Sequence, residues 1–131
     1  MKDLRSVLLV IRDRGARFAL AARVANLGFD VCHVRGAVTA LELLEERKQH
    51  FSKSQFALVI CERDAIDMPA ISFVDEMRDE QKFRAIPVLI VAHTLSDSDQ
   101  VAAHRLGSCR VMKHHADDRV LRAGIEHLLV A

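Results

Sequence analysis

The sequence predicts an α/β fold, a parallel five-stranded sheet sandwiched by helices in a single domain spanning residues 1–131. Two patterns predict it. Short apolar runs of about three to six residues alternate with stretches whose apolar residues recur at three- and four-residue spacing. The runs are near-continuous rather than interleaved with polar residues, which fits strands covered by helices on both faces. Repeating units of roughly 25 residues imply right-handed βαβ crossovers.

The first run is Val7–Ile11, followed by a helix with Leu20, Val24 and Leu27 on one face and Gly28 where it should stop. Phe29–Val34 is the second run, and Ala37, Leu41, Leu44 and Phe51 mark the helix after it. Phe56–Cys61 is the third run, with Ile71, Val74 and Met77 defining the next helix. Pro87–Ala92 is the fourth. Ser96 and Asp99 then form a capping pair at the start of a helix carrying Ala102 and Leu106, and Gly107 ends it. The fifth run, Arg110–Met112, is very short, and Leu121, Ile125 and Leu128 mark the last helix.

Composition narrows the function. Half of the 131 residues are hydrophobic and 28% are charged, as in an ordinary globular protein able to bury one core. Lys and Arg number 19 against 18 Asp and Glu, a formal net charge of +1, which argues against a nucleic-acid-binding role. The apolar stretch near the N-terminus is too short for a signal-peptide core or a membrane span. Cys32, Cys61 and Cys109 are far apart and form no Cys-x-x-Cys pair, so reduced thiols in a cytoplasmic protein are expected.

In open α/β sheets, ligands gather beyond the carboxyl ends of the strands where strand order reverses. With the order 2-1-3-4-5, that point lies between the first and third strands. Arg12 and Asp13 follow the first run, and Glu62 and Arg63 follow the third. Ala92, His93 and Thr94 lie at the end of the fourth, and Lys113, His114 and His115 follow the fifth. Imidazoles and carboxylates at one edge would suit zinc, but no His-x-x-x-His spacing is present and no metal is expected. A nucleotide or flavin site would need a phosphate cradle after the first strand. "IRDRGAR" has one Gly among several Arg, and the chain has no Trp or Tyr to cover a flavin.

The whole pattern resembles the receiver domain of bacterial two-component response regulators, a flavodoxin-like (βα)5 sandwich. The segments that carry the resemblance are "VLLVIRDR", "ALVICERDAIDMPA", "IPVLIVAHT" and "GSCRVMKHH", and it covers essentially the whole chain. The family places an acidic pair after the first strand, a phosphoacceptor Asp ending the third, a Thr or Ser ending the fourth, and a Lys-Pro pair after the fifth. Here Ile11 and Arg12 occupy the acidic positions, with Asp13 one step later. Glu62 falls on the acceptor position and Ala92 on the hydroxyl position. His114 takes the Lys position in an ungapped alignment, with Lys113 one before it, and Val111 stands where many members have a switching aromatic residue.

These departures have physical consequences. Phosphoryl transfer to a carboxylate needs a divalent cation held by several oxygens. Arg12 repels a cation, and only Asp13 is left as an oxygen donor. Glu62 is one methylene longer than Asp, and a misplacement of about 1 Å can cost on the order of a hundredfold in rate. Ala92 cannot donate a hydrogen bond, and a mostly neutral His114 is a weaker partner than Lys. The resemblance therefore implies a pseudo-receiver, not an enzyme, with Mg²⁺ binding lost and no other cofactor. Its role would be phosphorylation-independent protein–protein interaction, with Glu62 imitating part of the charge of a phosphoaspartate. The alternative is a phosphorelay receiver that accepts phosphate on Glu62, Asp13 or Asp64. The partner would be a protein rather than nucleic acid or membrane, met through the face of the fourth helix, fifth strand and fifth helix. The chain would be a monomer or weak homodimer.

Overall fold

The computed structural model describes residues 5–49, 55–64, 67–80 and 83–130. His50 and Phe51, the latter expected on the second helix, lie outside them. Five strands and five helices alternate: β1 Ser6–Val10, α1 Arg14–Asn26, β2 Asp30–Val34, α2 Ala37–Gln49, β3 Leu58–Glu62, α3 Ala70–Asp79, β4 Val88–Ala92, α4 Asp97–Leu106, β5 Cys109–Lys113 and α5 Asp118–Val130. The strands form one parallel sheet in the expected order β2-β1-β3-β4-β5.

Period-two alternation divides the apolar residues of the central strands between two layers. Leu8, Val10, Val59, Cys61, Val88 and Ile90 face one side, against Ala37, Ala40 and Leu44 of α2 and Phe73, Val74 and Met77 of α3. Val7, Leu9, Leu58, Ile60, Leu89 and Val91 face the other, against Leu20 and Val24 of α1 and Leu121, Ile125 and Leu128 of α5. Each fully buried aliphatic side chain contributes roughly 1.5–3 kcal/mol. The continuous apolar character of the runs thus follows from double coverage, but only in β1, β3 and β4. The edge strands are less buried: β5 buries Met112 alone, and its five residues outrun the three-residue apolar core seen in the sequence. Its pairing with β4 extends it to Lys113.

The helix boundaries have local causes. Ser96 and Asp99 form the expected capping box, with the Ser96 hydroxyl accepting from the Asp99 N–H at 3.2 Å. Gly28, just past α1, takes φ 103°, and Gly107, at the end of α4, takes φ 73°, a region L-residues avoid. Only Ala103 of α4 is fully buried, so this helix sits against the sheet edge rather than over its centre. Cys32, Cys61 and Cys109 are free thiols; burial pushes Cys61 far up and Cys109 up to about 11. No helix among the described residues is long and apolar enough to cross a membrane.

Candidate functional site at the carboxyl edge of the sheet

β1 and β3 pair side by side, so their ends bring the β1–α1 turn to Glu62. Ile11, just beyond β1, sends its N–H to the Val34 carbonyl at 3.1 Å and is fully buried in the layer beneath α1 and α5. Its side chain therefore belongs to the core. Arg12 is exposed, and its backbone N–H donates to Oε1 of Glu62 at 2.5 Å. Glu62 is half-buried, and this backbone contact occupies one of its oxygens. Among the described residues Glu62 has no side-chain ion pair with Arg12, Lys113 or His114.

Asp13 is the N-cap of α1. Its Oδ2 accepts from the Ala16 N–H at 2.8 Å, which satisfies one of the orphan donors of the first turn. An Asp just before an apolar-periodic segment is a recognised start signal, though the sequence reading took Asp13 only as an oxygen donor. Asp64 lies past the strand end, largely exposed, and pairs with Arg63 at 3.2 Å.

Arg63 links two elements. It donates to Asp99 Oδ2 at 3.0 Å and to the Thr94 carbonyl at 3.0 Å, tying the end of β3 to the start of α4. The bonds to Asp99 and then Asp64 raise the Arg63 pKa against the opposing effect of burial. The Asp99 carboxyl is held below its usual value, first by the Ser96 side chain and then by Arg63, against burial.

Ala92 ends β4, buried, with its carbonyl accepting from the His114 N–H at 2.7 Å. Lys113 pairs in register with Ala92 and its side chain is exposed. His114 turns inward into a trio of imidazoles: its ring stacks on His93 at 5.1 Å, and His115 lies 5.4 Å from both. Partial burial lowers the His114 pKa, followed by the charges of His93, His115 and Arg23, while Asp13 opposes them. Val111 lies beside Ile90 on β5, half-buried, in a groove of about 430 Å³ with Leu95 and Val120.

Two residues at this edge escaped the sequence reading. Arg17 is only 9% exposed and donates to the carbonyls of Ile11 (3.1 Å) and Arg12 (3.3 Å), bracing the β1–α1 turn from below. Its spacing to Leu20 and Val24 places it on the apolar stripe of α1, which is the signal that could have found it. Asp67, in the β3–α3 connection, accepts from the N–H groups of Ala37 and Val38 at 2.8 Å each, capping α2 from 30 residues away. Burial would raise its pKa, but these backbone bonds prevail and lower it.

The residues present do not fit a divalent cation. Asp13 and Glu62 accept from backbone N–H groups, and Arg12 beside Asp13 brings a positive charge. Among the described residues no group of three or more His, Cys, Asp or Glu is placed to hold a metal ion, the imidazole trio included.

The architecture defines a class: a five-stranded doubly wound parallel sheet in the order β2-β1-β3-β4-β5, the receiver-domain fold of response regulators. Solved structures of that class superpose on nearly the whole chain. Chemotaxis protein CheY4 of Vibrio cholerae matches with a TM-score of 0.83 at 16% identity, covering 96% of this chain and 99% of its own. The receiver domain of a signal transduction histidine kinase of Syntrophus aciditrophicus matches at 0.78 and 20%, covering 96% and 90%. A CheY-like response regulator receiver domain protein of Methanospirillum hungatei matches at 0.80 and 17%, covering 98% and 95%. At these identities the likeness concerns the fold. No family model and no curated protein matches the sequence.

Proposed function

We propose that this chain is a pseudo-receiver: a non-enzymatic signalling module of the cytoplasm that binds another protein without being phosphorylated. One observation carries the reading. The Glu62 carboxylate, at the expected acceptor position, is engaged by the Arg12 N–H, and residue 12 carries a guanidinium where the resemblance calls for a carboxylate. The face of α4, β5 and α5 supports a protein partner. Val101 on α4 and Val120 on α5 are about half exposed, at 52% and 48%, and Val120 borders the groove that holds Val111. With Val in place of an aromatic switch, that surface has no side chain to report on phosphorylation, which fits constitutive binding by a monomer or weak homodimer.

The test is an amide NMR titration with Mg²⁺ and then beryllofluoride, a phosphoryl mimic. Silence around Glu62 and Ala92 is expected, along with an unchanged melting temperature in Mg²⁺. A ligand at a hundred times its dissociation constant would add about 2.7 kcal/mol of stability. Shifts centred on Glu62, or a clear Mg²⁺-dependent rise in melting temperature, would refute the reading.

A further inference from the structure

The turns β1–α1 and β2–α2 enclose a cleft of about 820 Å³ lined by Arg12, Asp13, Arg14, Arg17, Phe18 and Arg35. Four guanidinium groups face one aspartate there. Arg12, Arg14 and Arg35 are exposed, and among the described residues none has a carboxylate partner within 4.0 Å. Arg17 is more unusual, because it is a cation more than nine-tenths buried whose acceptors are the two carbonyls already described and no acid. Buried charges are normally paired. Asp13 in the lining, and Glu62 and Asp67 on the neighbouring turns, all accept from backbone N–H groups. They are held at helix starts and at a strand end rather than on the guanidinium groups. Four guanidinium groups against the single carboxylate of the lining leave the cleft with an excess of positive charge.

We propose that this cleft binds a small ligand carrying two or more linked phosphates. Arginine forks match phosphate oxygens in paired hydrogen bonds. A single phosphate engages one or two forks, whereas a diphosphate presents enough oxygens and charge for the convergent set. Phe18 adds a platform: the residue is 49% exposed, with His33 edge-on to its ring at 5.0 Å and the guanidinium carbons of Arg14 and Arg17 at 5.6 and 5.7 Å. The exposed part of that ring can take a planar base, so the phosphates can come from a nucleoside diphosphate or from a bare polyphosphate chain. Binding needs no metal, since the arginines supply the positive charge.

The experiment is isothermal titration calorimetry of the whole chain in EDTA with inorganic phosphate, pyrophosphate and a nucleoside diphosphate, with sulfate at matched ionic strength as control. Saturable one-to-one binding of pyrophosphate, at least tenfold tighter than phosphate or sulfate and weakening with added salt, is expected. Arg14→Ala and Arg35→Ala, both at exposed positions, should each weaken it about tenfold with melting temperature unchanged. Phe18→Ala separates the two sources. A loss confined to the nucleoside diphosphate assigns a nucleotide, and equal binding by variant and parent assigns a bare polyphosphate. Absence of saturable pyrophosphate binding at millimolar concentration, equal binding of sulfate, or indifference to both arginine substitutions would overturn the proposal.

Discussion

Arg78 shows how much structure a single side chain can hold. Its guanidinium donates to the carbonyls of Ile86, Gly107, Ser108 and Leu106 at 2.9, 2.9, 3.2 and 3.2 Å, with a longer contact to Phe83. It thereby joins the end of α3, the approach to β4 and the turn before β5. Burial lowers its pKa, but a guanidinium stays protonated in proteins and supplies five N–H donors for these carbonyls. Arg78→Ala strands several part-buried carbonyls, and a loss of about 3 kcal/mol in chemical denaturation is expected. Arg78→Lys should recover only part of it, because an ammonium cannot span the same fork. The bonds of Arg78 and Arg17 were not legible, because both bind backbone carbonyls and such acceptors leave no trace in residue type; only the place of Arg17 on the apolar stripe of α1 marked it. His114 makes a second residue-scale prediction. Its pKa in the folded chain lies below the ordinary value of 6.5, so the unfolded chain takes up the proton first as pH falls. The contribution of His114 to stability is therefore full above about pH 6.5 and is lost on acidification below it. His114→Gln should flatten that decline in denaturation curves measured across the range, and parallel profiles for variant and parent would exclude the imidazole cluster as its source.

Among the elements, α2 depends on a contact that no local pattern announces. Its start has no acid in the first turn, and the cap comes instead from Asp67 across the sheet edge. Helix periodicity and the Gly107 stop were readable because they depend on near neighbours in the chain. A cap from a distant loop depends on the fold already being made. Gly36 is what allows the approach: a Cβ there would lie 2.9 Å from Oδ2 of Asp67. Asp67→Ala should cost about 1–2 kcal/mol, as the loss of an N-cap does. Gly36→Ala should be costly in the parent by pushing the carboxylate off α2. In the Asp67→Ala background that clash is gone, and the same change should be neutral or slightly stabilising through the unfolded state. The two substitutions are therefore expected to be strongly non-additive in a double-mutant cycle. Additive costs would mean that the carboxylate does not restrain the turn.

At the scale of the molecule, the sheet order and the layers were legible because double coverage of β1, β3 and β4 imposes unbroken apolar runs, whereas the thinly covered edge β5 left a weaker mark. The site was legible as a place but not as a set of contacts. Asp13 looked like a free oxygen donor and is a helix cap; Ile11 looked like a pocket position and is core. On the proposed pseudo-receiver reading, that difference decides how phosphoacceptor chemistry would be built at this edge. Replacing every departing position would include Ile11→Asp, which would bury a carboxylate between β1 and the α1/α5 layer and cost several kcal/mol, roughly 3 or more. The change that retains the scaffold leaves Ile11 alone and combines Arg12→Asp, Glu62→Asp, Ala92→Thr and His114→Lys. It removes the repelling guanidinium, shortens the acceptor, and supplies a hydroxyl and an ammonium at the ends of β4 and β5. These groups act as a unit, so each single variant should remain inert while the fourfold variant takes up acid-labile phosphate from a small phosphodonor in the presence of Mg²⁺. The Ile11→Asp fivefold variant should label no better and melt markedly lower. Labelling of the parent at the fourfold variant's rate would show that the chemistry had never been lost. A folded fourfold variant that stays unlabelled would show that the strand ends do not hold these side chains in line.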